Sequence, residues 1–97
     1  MHAGVVTLRV RLDQVGEAVR IYRESVLPEL KGLQGFEGGY VLTNAESGKC
    51  YVIGLWHTQE DAERFQSSGS FREQASKFED VLAEAPTREI FEVSIQA

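Results

Sequence analysis

The stretch Lys49 to His57 is apolar on both of its sides, because Tyr51, Ile53 and Leu55 alternate with Val52, Gly54 and Trp56. Side chains in a strand point alternately to opposite faces, so each of these triplets needs its own apolar neighbour. A strand of this kind lies in the middle of a sheet with a layer on each side. The chain has 97 residues, enough for one domain spanning 1–97 and too few for two cores. A chain this short buries a modest share of its surface, so association adds burial that it otherwise lacks. The second layer is therefore expected from another copy: two sheets face each other in a homodimer and enclose a cavity.

The remaining pattern supplies the other elements. Val5 to Leu12 alternates, with Val6, Leu8, Val10 and Leu12 on one face and Val5, Thr7, Arg9 and Arg11 on the other, which predicts a first strand. Asp13 is placed to cap a helix over about Gln14 to Leu33, where Val15, Ala18, Val19, Tyr22, Val26, Leu30 and Leu33 recur at helical spacing. Pro28 falls inside that run and is expected to kink or interrupt it. Phe36 to Thr43 and Lys49 to His57 read as a hairpin about Asn44-Ala45-Glu46-Ser47-Gly48. Thr58 caps a second helical region that breaks near Gly69 and restarts with Ser70 as cap. Pro86 closes it, and Thr87 to Ile95 alternates as a fourth strand. The order β-α-β-β-α-β predicts an α+β, ferredoxin-like fold: a four-stranded antiparallel sheet in spatial order 4-1-3-2 with both helices on one face.

Charge and cysteine usage narrow the function classes. Ten basic against fifteen acidic side chains leave a formal charge of −5, which argues against a nucleic-acid binder or a polybasic membrane anchor. At 42% hydrophobic and 26% charged the composition is that of a soluble globular protein rather than a disordered one. Cys50 stands alone, so no intrachain disulfide forms and no zinc ligand set is present. Met1-His2-Ala3-Gly4 shows no basic-then-apolar export signal, and a cytoplasmic setting is expected. The glycines make neither a P-loop nor a dinucleotide fingerprint, and no serine-nucleophile elbow is found.

Several short motifs together resemble one family. Gly35-Phe36 after the first helix, the hairpin, the strand ending in Leu55-Trp56, and Asp61-Ala62-Glu63-Arg64-Phe65-Gln66-Ser67-Ser68 followed by Phe71 resemble the antibiotic biosynthesis monooxygenases, which are dimeric α+β barrels. The resemblance runs from about Thr7 to Val93. It implies a homodimer acting on, or binding, a small hydrophobic or aromatic molecule. The family includes cofactor-independent oxygenases of quinols and polyketide-like aromatics as well as haem-degrading members. Two readings follow from it: a cofactor-independent monooxygenase of an electron-rich aromatic or quinol, or a non-catalytic barrel that binds a small hydrophobic ligand. The haem-degrading members pair the tryptophan with a strand-one asparagine and a histidine about ten residues downstream. Here strand one has no asparagine, and the downstream residue is Gln66.

Trp56 matches the cavity tryptophan of the family, or else fills the dimer core as a large apolar group. Val52 shares its face and joins the same lining. Arg9 and Arg11 lie on the strand-one face away from Leu8, where a guanidinium would stabilise a substrate anion, or would pair with acids at the rim. Tyr40 and His57 are candidates for proton transfer. Tyr40 falls beside Ile53 under the helices or beside Trp56 in the cavity, depending on one residue of register. His57 follows Trp56 and points to the opposite face, which excludes it as a proximal haem ligand. No metal or other cofactor is expected.

Overall fold

The computed structural model describes all residues, Met1–Ala97, in the order β1 (His2–Arg9), α1 (Val15–Ile21), α2 (Leu27–Leu30), β2 (Phe36–Thr43), β3 (Lys49–Trp56), α3 (Gln59–Gln66), α4 (Gly69–Ser76) and β4 (Thr87–Glu92). The four strands form one antiparallel sheet with spatial order β2-β3-β1-β4, the 4-1-3-2 order that the sequence predicts. All the helices lie on one face, and the sheet is not closed.

The first helical run is interrupted just before Pro28, where the α-helix gives way without a break in the chain of helical turns. Tyr22–Val26 widens into a π-helical turn, and the Leu27 N–H reaches back five residues to the Tyr22 carbonyl. That extra residue makes room for a proline ring that would clash with the carbonyl four residues before it. The run ends at Leu30 rather than Leu33, and Gly35, at φ +83°, turns the chain into β2. At the other break, Ser68 and not Ser70 is the cap: its Oγ accepts from the Phe71 N–H at 3.2 Å.

The sheet edges also differ from the sequence expectation. β1 starts at His2 and stops at Arg9, because Arg11–Gln14 turns away and the Arg11 N–H bonds the Val81 carbonyl. β4 stops at Glu92, with one further bond from the Val93 N–H to the Met1 carbonyl.

Register decides which face of each strand is covered. Val6, Leu8 and Val10 point at the helices and pack with Tyr22, Val26, Leu30, Phe78 and Val81. Antiparallel pairing sets Val6 opposite Val52, Gly4 opposite Gly54 and His2 opposite Trp56. Directly opposed residues share a face, so Val52, Gly54 and Trp56 also lie under the helices. This inverts the expected assignment of β3: Ile53, not Trp56, is on the open side. That open face carries Val5 from β1, Tyr51, Ile53 and Leu55 from β3, Tyr40 and Leu42 from β2 and Phe91 from β4.

Candidate functional site

Trp56 is the centre of a row of aromatic rings between the sheet and its own helices. It is 2% exposed. Phe36 meets it edge-on at 5.4 Å between ring centroids, and Phe65 of α3 stacks on it at 5.1 Å. Phe71 of α4 then meets Phe65 edge-on at 5.5 Å. Such offset and perpendicular contacts are the favoured geometries of aromatic pairs.

Two voids adjoin this row. The outer one, ≈ 300 Å³, opens between the turn after α2 and α3, with Leu33, Gln34, Asp61, Arg64 and Ser68 around Trp56 and Phe65. The inner one, ≈ 40 Å³, lies deeper on the other side of the same two rings. Val6, Val52, Leu30 and Phe71 make its apolar wall, and Tyr22 and Gln66 complete the lining.

Its floor is the glycine pair Gly4 and Gly54. A methyl on Gly4 would stand 2.9 Å from Gln66 Nε2, and one on Gly54 would stand 3.1 Å from Trp56 Nε1. The absence of two side chains is what lets the carboxamide and the indole edge approach the sheet. Buried Tyr22 Oη and His2 Nδ1 have no hydrogen-bond partner. A buried hydroxyl without a partner costs free energy unless a ligand or water meets it. Burial pushes the Tyr22 hydroxyl above its ordinary pKa, so at neutral pH it is a neutral donor.

Asp61 and Arg64 form the rim of the outer void. The Asp61 N–H caps α3 on Thr58 Oγ1 at 3.1 Å, and Arg64 Nη1 donates to Asp61 Oδ1 at 2.8 Å. Burial alone would raise the Asp61 carboxyl. Hydrogen bonding with Thr58 and Arg64, and the charges of Arg64 and His57, outweigh it and hold the group below the usual carboxylate range. Gly35 is packed against this carboxylate: any Cβ there would overlap Asp61 Oδ2.

The candidate residues from the sequence do not come together. Trp56 and Val52 line the inner void, whereas Arg9, Arg11, Tyr40 and His57 lie elsewhere. Arg9 leaves the opposite face of the sheet, where it pairs with Glu84 at 3.2 Å and donates to the Ser47 carbonyl at 3.1 Å. Its acid partner is therefore Glu84. Arg11 donates to the Asp80 carbonyl. Tyr40 pairs with Ile53, the first of its two expected registers, but on the open face, 57% exposed, rather than under the helices. His57 is exposed, with Nδ1 3.3 Å from Glu37 Oε1. Asp61, Arg64, Phe65 and Tyr22 were not picked out as site residues. Asp61, Arg64/Phe65 and Ser68 recur at helical spacing, and Tyr22 is a hydroxyl within an apolar stripe; those are the signals that point to them. Gln66, by contrast, stands beside Trp56 as the resemblance places it, while β1 supplies Gly4 and Val6 in place of an asparagine.

The architecture is that of the ferredoxin-like α+β domains in which antibiotic biosynthesis monooxygenases are built. Solved structures share it over nearly the whole chain. The haem-degrading enzyme MhuD of Mycobacterium tuberculosis, with two haems bound in its active site, superposes with a TM-score of 0.80 at 14% identity, covering 100% of this chain and 99% of its own. The monooxygenase from the gene ActVA-Orf6 of Streptomyces coelicolor, in complex with nanaomycin D, gives 0.80 at 14% identity over 99% and 91%. A candidate antibiotic biosynthesis monooxygenase from Nitrosomonas europaea gives 0.69 at 18% over 98% and 100%. At the level of sequence, no family model and no curated protein matches. No helix is long and apolar enough to cross a membrane.

Proposed function

We propose that the protein binds a small, flat, oxygen-bearing aromatic molecule between its sheet and its helices and oxidises it without a cofactor. One observation carries this reading: the aromatic rings of Trp56, Phe65 and Phe71 line one apolar slot together with Gln66 and with Tyr22, whose buried hydroxyl has no partner. Pockets with mostly apolar walls and a few aimed polar groups are the usual form of small-molecule sites. An electron-rich quinol can itself reduce dioxygen once it is ionised. Neutral donors held in a dry slot stabilise that anion as its charge develops. The similarity in fold to a nanaomycin-bound monooxygenase supports the ligand class.

The dimer belongs to the same proposal. The open face leaves Tyr40 57%, Leu42 49% and Phe91 48% exposed beside Tyr51, Ile53 and Leu55, a set of large apolar side chains of the kind that marks an interaction surface. A second copy laid sheet to sheet covers it and completes the α+β barrel. With its single buried thiol the protein suits a reducing, cytoplasmic setting.

The size of the inner void, ≈ 40 Å³, favours a second reading, a non-catalytic binder whose ligand stays in the outer cavity. Oxygen uptake with 1,4-dihydroxynaphthalene separates the two. The oxidase reading expects uptake above the protein-free rate, slowed by Gly54→Ala, which presses a methyl against the indole. Uptake equal to the protein-free rate with this and related quinols leaves the binder.

A further inference from the structure

A cationic groove adjoins the slot across the Phe71 ring. Gln66 and Phe71 line the inner void on one side and a groove of ≈ 240 Å³ on the other, where Arg72 of α4 and Arg88 of β4 complete the wall. The Arg88 guanidinium lies over the Phe71 ring, 4.7 Å from its centroid. Neither guanidinium donates to a carboxylate or a carbonyl, whereas Arg9, Arg20 and Arg64 each hold an acid. In a chain of formal charge −5, two cations on one groove with no acid between them mark a place where an anion is favoured. The serine hydroxyls of the groove are already committed. Ser67 Oγ donates to the Glu63 carbonyl at 2.8 Å, and Ser68 Oγ donates to the Phe65 carbonyl at 2.6 Å while capping α4. Recognition there falls to the arginines.

We propose that the ligand of the sheet–helix cavity carries a carboxylate, held by Arg72 and Arg88 in this groove while its ring lies beside Phe71 towards Trp56. The proposal rests on the cavity being the binding site. Planar guanidinium forks match a carboxylate in two-pronged geometry, and the cation–π contact fixes one of them over the ring that walls the slot.

Two stable probes that differ only in the acid test this, 1-hydroxy-2-naphthoate and 1-naphthol. Affinity is read by calorimetry and location by the indole N–H resonance of Trp56, the one tryptophan. Both probes should shift that resonance, with the naphthoate bound about tenfold more tightly. Arg72→Met with Arg88→Met should erase the advantage and leave naphthol binding as it was, and the double lysine variant should keep part of it. Unchanged naphthol affinity doubles as the check that the variants fold. Equal affinities, or an advantage that survives the methionine pair, overturn the carboxylate proposal while leaving the cavity in place. A Trp56 resonance unmoved by either probe overturns the cavity reading and this proposal with it.

Discussion

Gly35→Ala tests how the rim of the outer cavity is held. Gly35 sits at φ +83°, a conformation that costs an L-residue roughly 1–2 kcal/mol. Its carbonyl also accepts from the His57 N–H at 2.8 Å, so the turn cannot drift without freeing the end of β3. A methyl added here overlaps the Asp61 carboxylate. Either the turn or α3 must shift, and forced shifts of that kind in packed regions typically cost about 1–3 kcal/mol. Together the loss should be about 2–5 kcal/mol, read as a lower urea midpoint with an unchanged slope. In an Asp61→Ala background the overlap with the carboxylate disappears and only the contact with the Cβ at 2.8 Å remains, so the same substitution should cost less there, closer to the backbone part of about 1–2 kcal/mol. A loss below about 0.5 kcal/mol in the native background, or an equal loss in both, refutes the claim that Gly35 and Asp61 are packed against each other.

The inverted face of β3 separates two aspartate substitutions: Ile53→Asp should leave a folded monomer by sedimentation at micromolar concentration, whereas Val52→Asp, which buries an unpaired charge under the helices, should abolish cooperative unfolding. A folded monomer from Val52→Asp would contradict the register. For pH, the Asp61, Glu29 and Glu17 carboxyls are all held low in the folded state, Glu29 first by Gln74 and then Lys77, and Glu17 by Arg20. Groups shifted down stabilise the fold above their ordinary values near 4, and that share is lost as pH falls through the folded values. Stability should therefore decline from about pH 5 downwards, less steeply in Asp61→Asn, as followed by urea midpoints. Cys50 is buried and its thiol is pushed up by that burial, so a thiol reagent at pH 7 should label it only as fast as the protein unfolds.

Much of the fold is legible in the sequence because the strands and helices keep clean periods. Leu8 and Val10 against Arg9 and Arg11 give β1 its buried side without ambiguity, and the order of elements then leaves few topologies. The site is harder to read for a physical reason located in β3. When Val52 and Ile53 are equally apolar, period two says that both faces are covered but not which one meets the helices; the pairing of Val6 with Val52 settles that, and it is a tertiary fact. Trp56 therefore lies in the other layer from the one its period predicts, while Arg9 keeps its predicted face opposite Leu8, and the two expected neighbours end on opposite sides of the sheet. Pro28 shows a similar limit: the sequence marks a conflict in the helix, while its resolution by a π turn depends on packing on both sides of it. The contact of Gly35 with Asp61 joins residues 26 positions apart, and no local pattern reports it.

The central claim is that the ligand lies between the sheet and its own helices rather than between two sheets. Intermolecular nuclear Overhauser effects from the ring protons of bound 1-naphthol test it most directly, because the two faces of β3 carry different side chains. The account predicts contacts to Trp56, Phe65 and Phe71 with none to the open face. Contacts to Tyr40, Tyr51 and Leu55 in their place would put the ligand in the dimer lumen and contradict the account.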